Sequence, residues 1–276
     1  MYEYEGLQDV IFIALYCVAA FAALVAAVYL LWRRGNAFMQ EKGPESVKTI
    51  ETPSGPLRLG HRIRSSLRLR RWTAGLLAAM AASHVWWYAV GQWCLADDWL
   101  VRTILVIMLD HATLVPLVMA VLLAMLQDRR RPLWLWLVVQ LPVVLFAVVG
   151  MNERSWLYGY TLPHYWQLAV CVAFVIYYII ALRQYGRWLR DNFADLEHKE
   201  VWQSLLFAVI LFVVYGVYTS NMGEMAREYL SQVISIVIVA FLVWRVETLQ
   251  ELPSDEDRGG LTPGVYINNG VVKVNK

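Results

Sequence analysis

Seven apolar stretches punctuate the chain, over residues 10–32, 72–93, 101–126, 132–151, 163–182, 202–220 and 229–246, each followed by polar or charged residues. At about 1.5 Å of rise per helical residue, some 20 residues cross a hydrocarbon core of about 30 Å, so each stretch is long enough to span one. Lipid offers a backbone no hydrogen-bond partners, which makes every spanning stretch a helix. The pattern predicts an all-α integral membrane protein: a seven-helix domain over 1–252 and a short tail over 253–276.

The polar positions orient the bundle. Ten Lys and Arg lie between the first two stretches, three at 129–131, four from Arg183 to Lys199 and four from Arg245 onward, whereas the other side carries only Arg102, Arg154 and Arg227. The positive-inside rule then puts the N-terminus outside and the C-terminus in the cytoplasm. Most of the basic residues read as topology anchors. The opening MYEYEGLQD is acidic, the first apolar stretch is full length and Arg33 and Arg34 follow it, so the segment reads as a retained span rather than a signal peptide.

Composition narrows the function classes. The chain is 59% hydrophobic with a formal charge of +2, and with its charges placed by side it has no footprint for direct nucleic-acid binding. Cys17, Cys94 and Cys171 make neither a disulfide framework nor a metal spacing. No Gly-x-Ser-x-Gly, His-Glu-x-x-His or paired intramembrane aspartates occur, which argues against an enzyme. A retinal protein would need a buried Lys in the last span, and none is there. The tail is too short for a kinase or DNA-binding domain, so a signal would leave through a cytoplasmic regulatory partner.

Two connections carry more than topology. In the first, over 33–71, the basic stretch LRLGHRIRSSLRLRRW interleaves Leu57, Leu59, Ile63, Leu67 and Leu69 with Arg. Residues 57–72 thus read as an amphipathic segment on anionic lipid headgroups, beyond the bilayer itself as partner. In the third, Asp191 or Asn192 can cap a short helix in which Asp195 and Lys199 pair at i, i+4. Trp188, Asp195, Glu197 and Lys199 are its coupling candidates, on a lever between the fifth and sixth spans. In the tail, VYI and VVKV flank Asn-Asn-Gly, a hairpin signal.

Ionisable groups within the spans point to a site, since each is costly in lipid unless paired or hydrated. His84 on the second span and Asp110 and His111 on the third fall at nearly one depth, about 14 Å below the outer edge. If they face one another, Asp110 accepts a hydrogen bond from His84. Tyr88 and Gln92, among the outer aromatics, complete the ligand-sensing candidates. Pro116 and Pro142 lie at matching depth in the third and fourth spans, where each removes a backbone donor and favours a hinge.

The stretch RWLRDNFADLEHKEVWQS and the LVWRVETLQEL that closes the last span resemble the membrane portion of multi-span AraC-type transcriptional regulators of Bacteroidetes, from about residue 10 to Leu252. That family joins a membrane sensor region to a cytoplasmic helix-turn-helix domain. Here SDEDRGGLTPGVYINNGVVKVNK follows Leu252 and Pro253 instead. The resemblance implies a sensor-like bundle whose output domain is absent, truncated or carried by another polypeptide, in a bacterial inner membrane. The competing class is a redox or proton-conducting protein, in which His84 and His111 ligate a haem b iron or line a proton path.

Overall fold

The computed structural model describes residues 7–33, 48–52, 55–59, 65–90, 98–129, 131–192, 205, 209, 224–249, 251, 265–268 and 271–274. The long elements are helices: α1 (Leu7–Trp32), α2 (Leu67–Ala89), α3 (Trp99–Met125), α4 (Trp134–Val138), α5 (Leu141–Asn152), α6 (Leu162–Asn192) and α7 (Glu224–Thr248), with a π-helical turn over Leu157–Thr161. Two antiparallel hairpins join them, β1 (Lys48–Thr52) with β2 (Gly55–Leu59) and β3 (Val265–Asn268) with β4 (Val271–Val274). The second hairpin sits where VYI and VVKV flank Asn-Asn-Gly.

Among the described residues, five helical segments are long and apolar enough to cross a membrane: Val10–Trp32, Trp99–Met125, Trp134–Asn152, Leu157–Asp191 and Tyr229–Thr248. The sixth expected span, 202–220, lies outside the described residues, with the exception of positions 205 and 209. The second forms α2, but its basic start and its Ser-His and aromatic end leave it less apolar than the other five. Large apolar side chains on the outer surface, among them Phe21, Leu31, Leu145, Ile176 and Val237, suit a lipid surround.

The core follows from helical periodicity. On α1, Ala19, Ala23, Ala26, Ala27 and Leu30 recur every three or four residues, and this narrow face lies against α2. Small residues let two helix backbones approach, the usual basis of helix association in lipid. Helices α1 and α7 also pack together, α2 bridges to α3, and α3 packs on α5. One end of the bundle gathers the C-termini of α1, α3, α6 and α7 with the start of α2; it is called here the basic end, and the opposite one the aromatic end.

Two expectations need correction, and a third is only partly described. Residues 57–72 do not form one continuous amphipathic element, because Leu57 and Leu59 lie on β2. The Ser66 hydroxyl accepts from the Leu69 amide, so α2 starts five residues before Trp72 and turns Leu69 into the core. Asp191 and Asn192 belong to α6, which runs 31 residues, and the short helix expected after them lies outside the described residues. Pro142 is not mid-helix. The fourth apolar stretch breaks at Val139 and Gln140, and Pro142 occupies the first turn of α5, where a missing N–H leaves no bond unmade.

Glycines set the closest approach. A Cβ on Gly150 of α5 would overlap the backbone of Gly159 in the π turn, and one on Gly159 would overlap Ile104 of α3. Between α5 and that turn, Arg154 takes a left-handed φ of 48° and its guanidinium pairs with Asp98, just before α3, at 3.2 Å.

Candidate functional site

Among the described residues, most of the bonded polar side chains of the spans gather in two groups along the bundle. In the half nearer the aromatic end, α2 presents neighbouring residues to opposite sides, since successive residues differ by about 100° around a helix. Ser83 faces α3 and donates to Asp110 Oδ1 at 2.7 Å, and Trp86 Nε1 reaches the same oxygen at 3.0 Å. His84 faces α1 and α7. Its Nδ1 meets the Met80 carbonyl at 2.7 Å, its Nε2 meets Gln232 Oε1 at 3.0 Å, and the Tyr16 hydroxyl donates to its backbone carbonyl while the Tyr16 ring sits edge-on at 4.6 Å.

The expected His84–Asp110 bond is therefore not made. Both ring nitrogens of His84 are engaged elsewhere, and Asp110 is held by the two α2 donors on the other side of the helix. The carboxylate and the imidazole still share α2, through the adjacent residues Ser83 and His84. His111 is turned differently again: its Nδ1 meets the Ile107 carbonyl at 2.7 Å, and its ring lies within electrostatic reach of His164 on α6. Tyr88 is exposed, and Gln92 lies outside the described residues.

This geometry bears on haem. A bis-histidine iron needs two free imidazole nitrogens aimed at one point between the helices. His84 has Nδ1 at the Met80 carbonyl and Nε2 at Gln232 Oε1, which leaves neither nitrogen for an iron, so the pair does not fit that group.

The second group, at the basic end, was not legible as a site. Arg70 is 2% exposed and donates to the Arg33 carbonyl at the end of α1, to Ser65 Oγ at 2.6 Å and to Glu247 Oε1 at 2.6 Å; Glu247, on α7, is 0% exposed. Arg131 makes a bidentate pair with Asp128, both buried. Arg245 is buried near Tyr178 and Tyr185. Counting Lys and Arg by side treats them all as anchors, yet these three face inward. The only signal in the sequence was Glu247 itself, an acid in the last turn of an apolar helix.

Of the coupling candidates, Trp188 stacks on Tyr185 with centroids 5.8 Å apart, and Asp195, Glu197 and Lys199 lie outside the described residues. Pro116 is buried within an otherwise continuous α3. At the α4–α5 break, the Val143 amide turns to the Gln140 carbonyl, and the Val139 carbonyl is taken at 2.9 Å by Trp166 Nε1 of α6.

Comparison with known protein families, curated proteins and solved structures finds no match for this chain.

Proposed function

We propose that this chain is a non-enzymatic membrane module, a sensor or anchor, that passes a ligand- or lipid-induced change in its bundle to a regulatory protein on the cytoplasmic face of a bacterial inner membrane. The observation that carries this reading is a pair of pins between α2 and the antiparallel α7, one partly buried and one fully buried. One is His84–Gln232 toward the aromatic end, the other Arg70–Glu247 at the basic end. Fourteen residues separate the pins on α2 and fifteen on α7, about 21 and 22 Å of helix. With the register fixed at both ends, a ligand that displaces one pin shifts the load on the other.

Such a ligand acts only through its preference for one of the two arrangements. His84, Tyr88, Gln92, Asp110 and His111 remain the sensing residues of this reading. Trp188, with Asp195, Glu197 and Lys199 beyond it, is the route to the partner. The resemblance of residues 10–252 to the membrane portion of AraC-type regulators agrees with it. So does the cytoplasmic C-terminus that the distribution of Lys and Arg predicts.

The test is a distance measurement across the basic end. Spin labels at Arg71→Cys and Thr248→Cys, in a chain whose native cysteines are replaced by alanine, report α2–α7 separation by electron double resonance in nanodiscs. With His84→Ala the distribution should move or broaden by several ångströms, although His84 is some 20 Å away. An unchanged distribution would remove the mechanical basis of the proposal.

A further inference from the structure

The two buried carboxamides beside the α4–α5 break belong to neither pin. Gln140 is 4% exposed and Gln167 is 0% exposed. Among the described residues, no partner meets either amide atom of Gln140 or the Oε1 of Gln167, whose Nε2 has only a weak contact with Cys171 Sγ at 3.7 Å. Their sequence neighbours are bonded to one another, Trp166 Nε1 to the Val139 carbonyl at 2.9 Å, so the two carboxamides lie at one level of adjacent elements. That level is deep. Gln140 stands twelve residues from the end of α5 at Asn152, about 18 Å.

Three polar atoms without partners in an apolar interior are expensive, and neutral amides offer no charge to offset an ion. Broken helices at membrane depth are found where backbone and side chains line a bound guest. The lipid-facing side of the break is apolar, with Leu137, Val138 and Leu141 exposed, and Trp136 packs on Phe174 and Tyr177 below it.

We propose that the α4–α5 break is a binding site for an uncharged hydroxyl group, which donates to a carboxamide oxygen and accepts from Gln140 Nε2. The hydroxyl can come from water or from the head of a neutral amphiphile entering from the bilayer. The proposal is independent of the sensor reading, since it uses none of its residues.

The test uses the full chain in phosphatidylethanolamine–phosphatidylglycerol nanodiscs with glutamine side chains labelled with nitrogen-15. Water-edited solid-state NMR should show magnetisation passing to two carboxamides, lost in Gln140→Leu and Gln167→Leu, if water is the guest. If an amphiphile is the guest, that transfer is absent and added monoolein instead shifts both carboxamide resonances and raises the Tm of the wild type but not of the variants. In either case Gln140→Leu lowers the Tm. Absence of both signals in the wild type would overturn the proposal, and so would a Tm raised in Gln140→Leu, as expected if an unpaired amide has been removed; the NMR result on the wild type holds even if a variant fails to fold.

Discussion

A guanidinium carried out of water must replace several hydration partners, and those of Arg70 include a carbonyl, a hydroxyl and a carboxylate drawn from two other helices and its own approach. Removing one member of such a buried pair leaves the other uncompensated, at about 3–5 kcal/mol, whereas replacing both by apolar residues of similar size is often close to neutral. Arg70→Met and Glu247→Leu should therefore each lower unfolding stability in micelles by that amount, and the double variant should recover most of it. Additive losses would show that the two side chains act separately. Nothing in the charge pattern separates Arg70 from its exposed neighbour Arg71. The difference is their angle on α2, which follows only once Ser66 fixes where the helix begins.

At the scale of elements, apolar length was enough to place the helices but not to show how closely they meet. Gly150 and Gly159 look ordinary in sequence, yet a side chain at either would strike α3 or the π turn. Gly150→Ala should cost about 1–3 kcal/mol through overpacking. Gly186→Ala on α6, where a Cβ meets nothing within 4 Å, should instead be neutral or stabilising by up to about 1 kcal/mol. Thermal unfolding of the two variants side by side checks the contrast. Pro142 illustrates the same limit: the sequence announces a disturbed helix, but not where the backbone groups around the proline find their partners. Here the Val143 amide turns to the Gln140 carbonyl, and the Val139 carbonyl it leaves is met by Trp166, 27 residues away in the chain. Likewise the sequence set His84 and Asp110 near each other, but the angles around α2 and α3 send them to different partners, Gln232 and Ser83.

For the whole molecule, the arrangement of basic residues makes a definite statement about sidedness. A green fluorescent protein fused after Lys276 should fluoresce in bacteria, and one fused before Met1 should stay dark, if the basic end faces the cytoplasm. The reverse result would invert every assignment of sensing and output ends. Seven apolar stretches were readable from the order of apolar and polar residues, and five of them correspond to segments fit to cross a membrane among the described residues. The inward-facing arginines were not readable, because side-counting is blind to rotation about a helix axis. The length of α6 carries one more consequence. Its 31 residues extend about 46 Å, well beyond a hydrocarbon core of about 30 Å, and Tyr185 and Leu189 on its last turns are buried against the bundle. A rod longer than the slab it pierces magnifies its own inclination: a change of about 10° in tilt, small beside the spread that bilayer helices display, sweeps its tip sideways by about 8 Å, more than the spacing between neighbouring turns.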